Sequence, residues 1–132
     1  MLQHVCVVDD DASYRDLIAL ALEEYLDCPR VSRFDCGQGM LRAFSEHEAV
    51  DAILLDLHMP RLDGDQVARE LRARGCRARI VILSAALSPQ DTQRCLGAGA
   101  EEAFVKPDSL DGLVHRLRAT FQQGPGARDP AP

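Results

Sequence analysis

Residues 50–60 read VDAILLDLHMP, and this segment decides the fold class. The run 50–55 is almost continuously apolar, which is typical of a strand buried on both faces of a parallel sheet. The run ends at Asp56, and a loop that contains Pro60 and Gly64 follows it. The segment therefore predicts a strand, a loop and then a helix, with an acidic side chain where the strand ends.

The same order of a short apolar run and a helical pattern recurs along the chain. Further strands are predicted at four places, residues 5–8, 31–34, 80–83 and 103–105. This alternation predicts an α/β fold, a doubly wound sheet of five parallel strands with helices on both faces. Asp11, Ser88 and Ser109 are predicted to cap helices at their starts, and Gly75 is predicted to end the third helix.

The length and charge of the chain restrict its organisation. The 132 residues allow one domain, predicted at 1–121, with a flexible Pro- and Gly-rich tail or linker at 122–132. The net charge of −6 argues against direct nucleic-acid binding by this domain, and the five arginines between 69 and 79 are predicted to form a solvated face. No apolar stretch approaches the roughly 18 residues of a membrane helix. Five cysteines without a C-x-x-C pair indicate reduced thiols in a cytoplasmic protein.

Polar side chains stand where four of the apolar runs end. They are Asp9 and Asp10, Asp56, Ser84 and Lys106, the only lysine beside 14 arginines. Because the carboxyl ends of parallel strands meet at one edge of the sheet, we expect these side chains to converge there. Three close carboxylates repel one another and favour a hydrated Mg²⁺ ion, while a lysine ammonium suits a phosphoryl oxygen. The pattern therefore predicts a site for a divalent cation and a phosphoryl group.

The chain resembles the receiver domains of two-component response regulators, the family of the chemotaxis response regulator, over residues 4–121. The motifs that carry the resemblance occur in order, as VVDD at 7–10, LDLHMP at 55–60, DG at 63–64, LSA at 83–85, GAEE at 99–102 and VKP at 105–107. The resemblance implies a flavodoxin-like fold with strand order 2-1-3-4-5.

The resemblance also implies a phosphorylation site and its metal. Asp56 is expected to accept a phosphoryl group from a sensor histidine kinase or a histidine phosphotransfer protein. Asp10, Asp56 and the backbone carbonyl of His58 are expected to bind Mg²⁺ directly, with Mn²⁺ as a substitute, and Asp9 mostly through water. The family's members are signalling switches, and the acyl phosphate that they hydrolyse is their own. We therefore do not expect this chain to be an enzyme with a separate substrate.

Four further positions have roles that the resemblance implies. Lys106 is expected to contact the phosphoryl oxygens, and Ser84 to donate its hydroxyl to the phosphoryl group as the switch residue. Ala103 occupies the second switch position, where receivers usually carry Tyr or Phe, so the switch is expected to use other packing. Pro107 follows Lys106 as the family's frequent cis proline, and a cis bond before proline costs little.

The partners expected from the resemblance leave several alternatives open. The switched domain is expected to act on a downstream protein partner or on a covalent effector domain absent from this chain, and a homodimer is a further alternative. A different class is also open, because residues 9–13 loosely resemble the D-x-D-x-T loop of haloacid-dehalogenase-like phosphatases. In that hypothesis Asp9 is the nucleophile and Asp11 the acid/base of a Mg²⁺-dependent hydrolase, but the motif at 55–60 is unexplained. A receiver that works without phosphorylation is disfavoured by the intact acids and Lys106.

Overall fold

The computed structural model describes residues 2–122 and contains a five-stranded sheet in which every strand pair is parallel. The strands are β1 (His4–Val8), β2 (Arg30–Phe34), β3 (Ala52–Asp56), β4 (Arg79–Ser84) and β5 (Glu102–Val105). The helices are α1 (Ala12–Leu20, extended by a π-type turn over Ala21–Tyr25), α2 (Gly37–Ala43), α3 (Gly64–Ala73), α4 (Pro89–Gly97) and α5 (Leu110–Gln122). The strand order is β2-β1-β3-β4-β5. The predicted α/β fold and its strand order are confirmed.

Helices cover both faces of the sheet and form two apolar layers. In β1, Val5 and Val7 pack with α1 and α5, whereas Cys6 and Val8 pack with α2, α3 and α4. Every residue of β1 and of β3 is buried. Burial on both faces explains why these strands read as continuous apolar runs instead of alternating patterns. The acids Asp9 and Asp56 stand at the carboxyl ends of these two strands.

The helix ends carry the caps that the sequence indicated. Asp11 Oδ1 accepts two backbone N–H groups of α1, at 3.0 and 3.2 Å. Ser88 and Ser109 each accept one N–H from the first turn of the following helix, both at 3.0 Å. Gly75 follows α3 with a φ of +90°, a conformation that glycine adopts at little cost. These predicted caps are confirmed, and the cap at Asp11 anchors α1 directly behind the acidic pair of β1.

The cysteines, the helix lengths and the end of α5 bear on three further predictions from the sequence. As predicted, all five cysteines are free, and all except Cys36 are buried. Within residues 2–122 no helix is long and apolar enough to cross a membrane. Of the predicted tail, Gln122 is the last residue of α5, and residues 123–132 lie outside the described part of the chain.

Two of the five arginines between 69 and 79 do not belong to the solvated face that we predicted. The Arg72 guanidinium donates four hydrogen bonds, to the carbonyls of Gly99 (3.1 and 2.8 Å), Cys76 (3.0 Å) and Ala78 (2.7 Å). Arg79 is largely buried, and its guanidinium pairs with the carboxylate of Glu101, the residue before β5. Arg77 is exposed. The prediction was wrong for Arg72, whose guanidinium serves loop carbonyls, and for Arg79, whose guanidinium pairs with the Glu101 carboxylate.

Arg72→Met is expected to lower the free energy of unfolding by about 1–3 kcal/mol. Methionine keeps most of the apolar stem but leaves three loop carbonyls without their donor. Urea denaturation followed by circular dichroism measures the change, with Arg77→Met at an exposed position as the matched control. Equal stability of the two variants would contradict a structural role for Arg72.

Candidate functional site

Three carboxylates meet at the carboxyl edge of the sheet, as the sequence predicts. Asp9 and Asp10 follow β1 and Asp56 ends β3, and each offers an oxygen within 4.8 Å of the other two. Asp9 and Asp56 are buried, with exposed fractions of 1% and 7%, whereas Asp10 is exposed. The cluster therefore concentrates negative charge in a place where water screens it poorly.

Lys106 brings the positive charge that faces this cluster. Its Nζ lies 3.0 Å from Asp9 Oδ2 and 3.4 Å from Asp56 Oδ1. The backbone N–H of Lys106 donates to the Ser84 carbonyl at 2.8 Å, which fixes the end of β5 against β4. Four of the predicted site residues are thus brought together, since Asp9, Asp10, Asp56 and Lys106 come from the ends of three strands.

One oxygen of the cluster is almost fully buried and depends on Lys106. Asp9 Oδ2 faces the Lys106 ammonium at 3.0 Å. Its other oxygen, Oδ1, accepts the N–H of Asp11 at 2.9 Å. Three carboxylate oxygens within 4.8 Å of one another, faced by a single ammonium, fit a hard divalent cation with oxygen ligands.

The protonation of Asp56 reflects this crowding. Burial, reinforced by the charge of Asp9, raises the pKa of the Asp56 carboxyl from 3.8 to about 7, although Lys106 opposes the rise. Burial lowers the pKa of the Lys106 ammonium, but the contacts with Asp9 and Asp56 outweigh it and the net pKa is raised. Lys106 therefore stays protonated. Its single positive charge does not balance the three carboxylates unless a cation is bound.

Asp56→Asn is expected to raise the free energy of unfolding of the metal-free protein by about 1–2 kcal/mol at about pH 8. The folded-state pKa lies above the unfolded value of 3.8, so ionisation of Asp56 opposes folding. Stability from this group is present at low pH and is lost as pH rises through about 7. Urea denaturation at a pH well below 7 and at about pH 8 measures the free energy of unfolding of wild type and Asp56→Asn. The exposed Asp16→Asn is the control. A stability gain of Asp56→Asn that increases as the pH falls would contradict the raised pKa of Asp56.

Gly64 allows the loop after β3 to close tightly beside Asp56. Its N–H donates to the Leu57 carbonyl at 2.8 Å. A Cβ at this position would lie 2.5 Å from the Asp56 carbonyl oxygen and 3.1 Å from Leu57 Cα, and both are backbone atoms. The glycine of the DG motif at 63–64 is therefore required by close backbone approach, which links α3 to the acid that ends β3.

The remaining predicted site residues differ in how the structure places them. Ser84 ends β4, is fully buried, and its Oγ lies 3.4 Å from the Ala86 N–H. The His58 side chain is exposed in the loop after Asp56, and a metal contact through its carbonyl stays a prediction. Ala103 packs on the α2–α4 side of the sheet while Phe104 packs on the other side, so Phe104 does not replace the missing switch aromatic.

The expectation of a cis proline at Pro107 was wrong. The described chain has no cis peptide bond, so the bond between Lys106 and Pro107 is trans. The trans isomer has the lower intrinsic energy before proline.

Tyr14 is a site neighbour that the sequence reasoning missed. Its hydroxyl donates to the Pro107 carbonyl at 2.8 Å, and its ring centroid lies 4.7 Å from Lys106 Nζ. Burial and the charges of Asp9 and Asp108 raise the pKa of Tyr14 to about 12, so the hydroxyl remains a donor. Its helical spacing indicated only a core position, and no local motif marked a contact 93 residues away.

A second missed group lies at the start of α3. The Asp65 carboxylate is buried, and its Oδ2 contacts Arg69 Nη1 at 3.1 Å and Arg94 Nε at 3.2 Å. Arg94 belongs to α4, so this ion pair joins α4 to the helix that follows the Asp56 loop. The spacing to Arg69 within α3 was readable as an i, i+4 pair, but the link to α4 was not.

Sequence comparisons place the chain among known proteins. The family described as the response regulator receiver domain matches residues 5–118. The transcriptional regulatory protein PrrA of Mycobacterium tuberculosis is 40% identical over 124 residues, which cover 90% of this chain and 50% of PrrA. The response regulator MprA of Mycolicibacterium vanbaalenii is 34% identical over 119 residues, with 90% and 50% covered. The chain spans about half the length of these curated relatives.

Solved structures show the same fold. The receiver domain of the Francisella response regulator 1452 superposes with a TM-score of 0.76 at 28% identity, covering 91% of this chain and 97% of that one. The chemotaxis protein CheY4 of Vibrio cholerae has a TM-score of 0.77 at 23% identity, with 92% and 100% covered, and shows the fold alone. With the family match, these likenesses identify the chain: it belongs to the response regulator receiver domains, the signalling domains of two-component systems.

Proposed function

We propose that this receiver domain accepts a phosphoryl group on Asp56 in a Mg²⁺-dependent reaction and changes conformation as a result. The observation that carries the proposal is the position of Lys106, whose Nζ lies 3.4 Å from Asp56 Oδ1 inside a cluster of three carboxylates. An ammonium and a cation site beside one carboxylate suit a group that becomes an acyl phosphate.

The residues that would hold the metal are those of the acidic cluster. Asp10 and Asp56 would bind Mg²⁺ directly with the His58 carbonyl, Asp9 would act mostly through water, and Mn²⁺ would be a substitute. The three clustered carboxylates and the raised pKa of Asp56 support a cation at this place. When bound, Mg²⁺ neutralises charge on the carboxylates and on the phosphoryl oxygens.

The protein groups would have separate tasks during transfer. An Asp56 carboxylate oxygen forms a bond to phosphorus while the bond between phosphorus and the imidazole nitrogen of a phosphohistidine breaks. The imidazole leaves with the bonding electron pair. Lys106 stays protonated and stabilises the phosphoryl oxygens as charge spreads over them. The Ser84 hydroxyl then donates a hydrogen bond to the phosphoryl group, and hydrolysis by water ends the signal.

The partners follow from this chemistry. The donor would be a sensor histidine kinase or a histidine phosphotransfer protein in the cytoplasm. The receiver, residues 1–121, would signal through a downstream protein or through an effector domain connected by a linker at 122–132, and a homodimer is an alternative. PrrA is named a transcriptional regulatory protein, which supports an effector of that kind. The charge of −6 supports a domain that does not itself contact nucleic acid.

Phosphoryl uptake from acetyl phosphate tests the proposal. Wild-type protein with Mg²⁺ is expected to gain the mass of one phosphoryl group, and a chelator is expected to abolish the gain. Asp56→Asn is expected to show no gain, whereas the exposed control Asp16→Asn behaves as wild type. Circular dichroism checks that each variant is folded. Phosphoryl uptake by Asp56→Asn equal to that of wild type would overturn the proposal.

A further inference from the structure

Tyr14 touches the phosphoacceptor site at two separate points. The hydroxyl at one end of the ring donates to the carbonyl of Pro107 at 2.8 Å. The face of the ring lies 4.7 Å from the Lys106 ammonium. The same half-buried side chain thus contacts the cation of the site and the backbone next to it.

The backbone on both sides of these contacts is fixed. The Asp11 cap binds the N–H of Tyr14 at 3.2 Å, which holds the start of α1 behind Asp9 and Asp10. On the opposite side, the N–H of Lys106 is bonded to the Ser84 carbonyl. Tyr14 therefore joins the loop after β1 to the loop after β5 across the site.

The Lys106 side chain needs such a constraint. A lysine stem has four carbons and loses rotamer entropy when it is fixed in one place. Its ammonium is shared between Asp9 and Asp56, and the distance to Asp9 is the shorter one. An aromatic face attracts the ammonium without competing for its hydrogen bonds to oxygen, so the ring limits the rotamers and leaves the donors free.

We propose that Tyr14 is a positioning residue for Lys106, in which the ring orients the ammonium and the hydroxyl holds the backbone after β5. This inference rests on the proposed function of the site. Tyr14 does not contact the reacting oxygen of Asp56; it acts through Lys106. The Tyr14 ring keeps the ammonium within reach of Asp56, although the ammonium lies closer to Asp9.

The single lysine of the chain makes the orientation directly measurable. Isotope-labelled lysine yields one side-chain NMR signal, and the aromatic ring 4.7 Å from Nζ shifts that signal by its ring current. In metal-free protein we expect the shift to be kept in Tyr14→Phe and lost in Tyr14→Leu. Tyr25→Phe and Tyr25→Leu are matched controls, because Tyr25 is the other tyrosine and is 43% exposed. An unmoved lysine signal in Tyr14→Leu would overturn the role of the ring.

The rate of phosphoryl uptake from acetyl phosphate separates the two contacts. We expect Tyr14→Leu to be slower by about 10-fold and Tyr14→Phe by about 3-fold, with Mg²⁺ affinity unchanged in both. A wild-type rate in Tyr14→Phe would overturn the role of the hydroxyl, and a wild-type rate in Tyr14→Leu would overturn positioning altogether. If wild type takes up no phosphoryl group, the proposed function fails, while the lysine signal still reports on Tyr14.

Discussion

Lys106→Arg is expected to slow phosphoryl uptake by about 10²–10³-fold, although it conserves the positive charge. The Lys106 side chain is only 13% exposed and is enclosed by Asp9, Asp56 and the Tyr14 ring. A guanidinium is a broad planar fork that would pair with both carboxylates at once. It would thereby occupy the space that the phosphoryl group needs beside Asp56.

The initial rate of mass gain from acetyl phosphate with Mg²⁺ measures this effect. Arg77→Lys makes the reverse exchange at an exposed position and is expected to leave the rate unchanged. Circular dichroism and urea denaturation separate lost chemistry from lost folding. A wild-type rate in Lys106→Arg would contradict a specific requirement for the slim ammonium.

Gly64→Ala is expected to lower the free energy of unfolding by about 3 kcal/mol or more. The added Cβ would stand 2.5 Å from the Asp56 carbonyl oxygen, and neither that atom nor Leu57 Cα can turn aside as a side chain does. Relief requires the loop to move away from the end of β3. The same movement displaces Asp56, so we also expect slower phosphoryl uptake.

Gly97→Ala is the matched control for this substitution. Gly97 ends α4, and a Cβ there would meet no atom within 4 Å. Because alanine favours helix, we expect this variant to be as stable as wild type or more stable by up to about 1 kcal/mol. Urea denaturation compares the two variants. A Gly64→Ala protein as stable as the Gly97→Ala protein would show that the close approach is not required.

The fold was predictable because burial on both faces leaves a direct mark in the sequence. β1 and β3 appear as unbroken apolar runs, and each ends at an acid. Their parallel arrangement places those acids at one edge, so the meeting of Asp9, Asp10, Asp56 and Lys106 followed from strand ends alone. The capping residues were equally readable, because a cap depends on groups within one helical turn.

Contacts between distant segments were not predictable in the same way. Arg72 was assigned to a solvated face, yet its partners include the carbonyl of Gly99, 27 residues further along the chain. The hydroxyl contact of Tyr14 with Pro107 spans 93 residues. A polar side chain that serves a distant carbonyl has the same periodic position as a solvated or packed one. Only the folded chain distinguishes these roles.

The balance of charges within the site also depends on the folded chain. The sequence indicated three acids and one lysine, but not that Lys106 lies nearer to Asp9 than to Asp56. Nor did it indicate that Asp10 is exposed while Asp9 is almost fully buried. Burial and the neighbouring charge of Asp9 raise the pKa of the Asp56 carboxyl to about 7, although Lys106 opposes the rise.

The position of the phosphoryl group on the chain tests the central claim most directly. Protein treated with acetyl phosphate and Mg²⁺ is reduced with borohydride, which converts an aspartyl phosphate to homoserine, and its peptides are mapped by mass spectrometry. We expect homoserine at position 56, with Asp9 and Asp10 unchanged. Homoserine at position 9 with Asp56 intact would contradict the account and favour the phosphatase-like hypothesis instead.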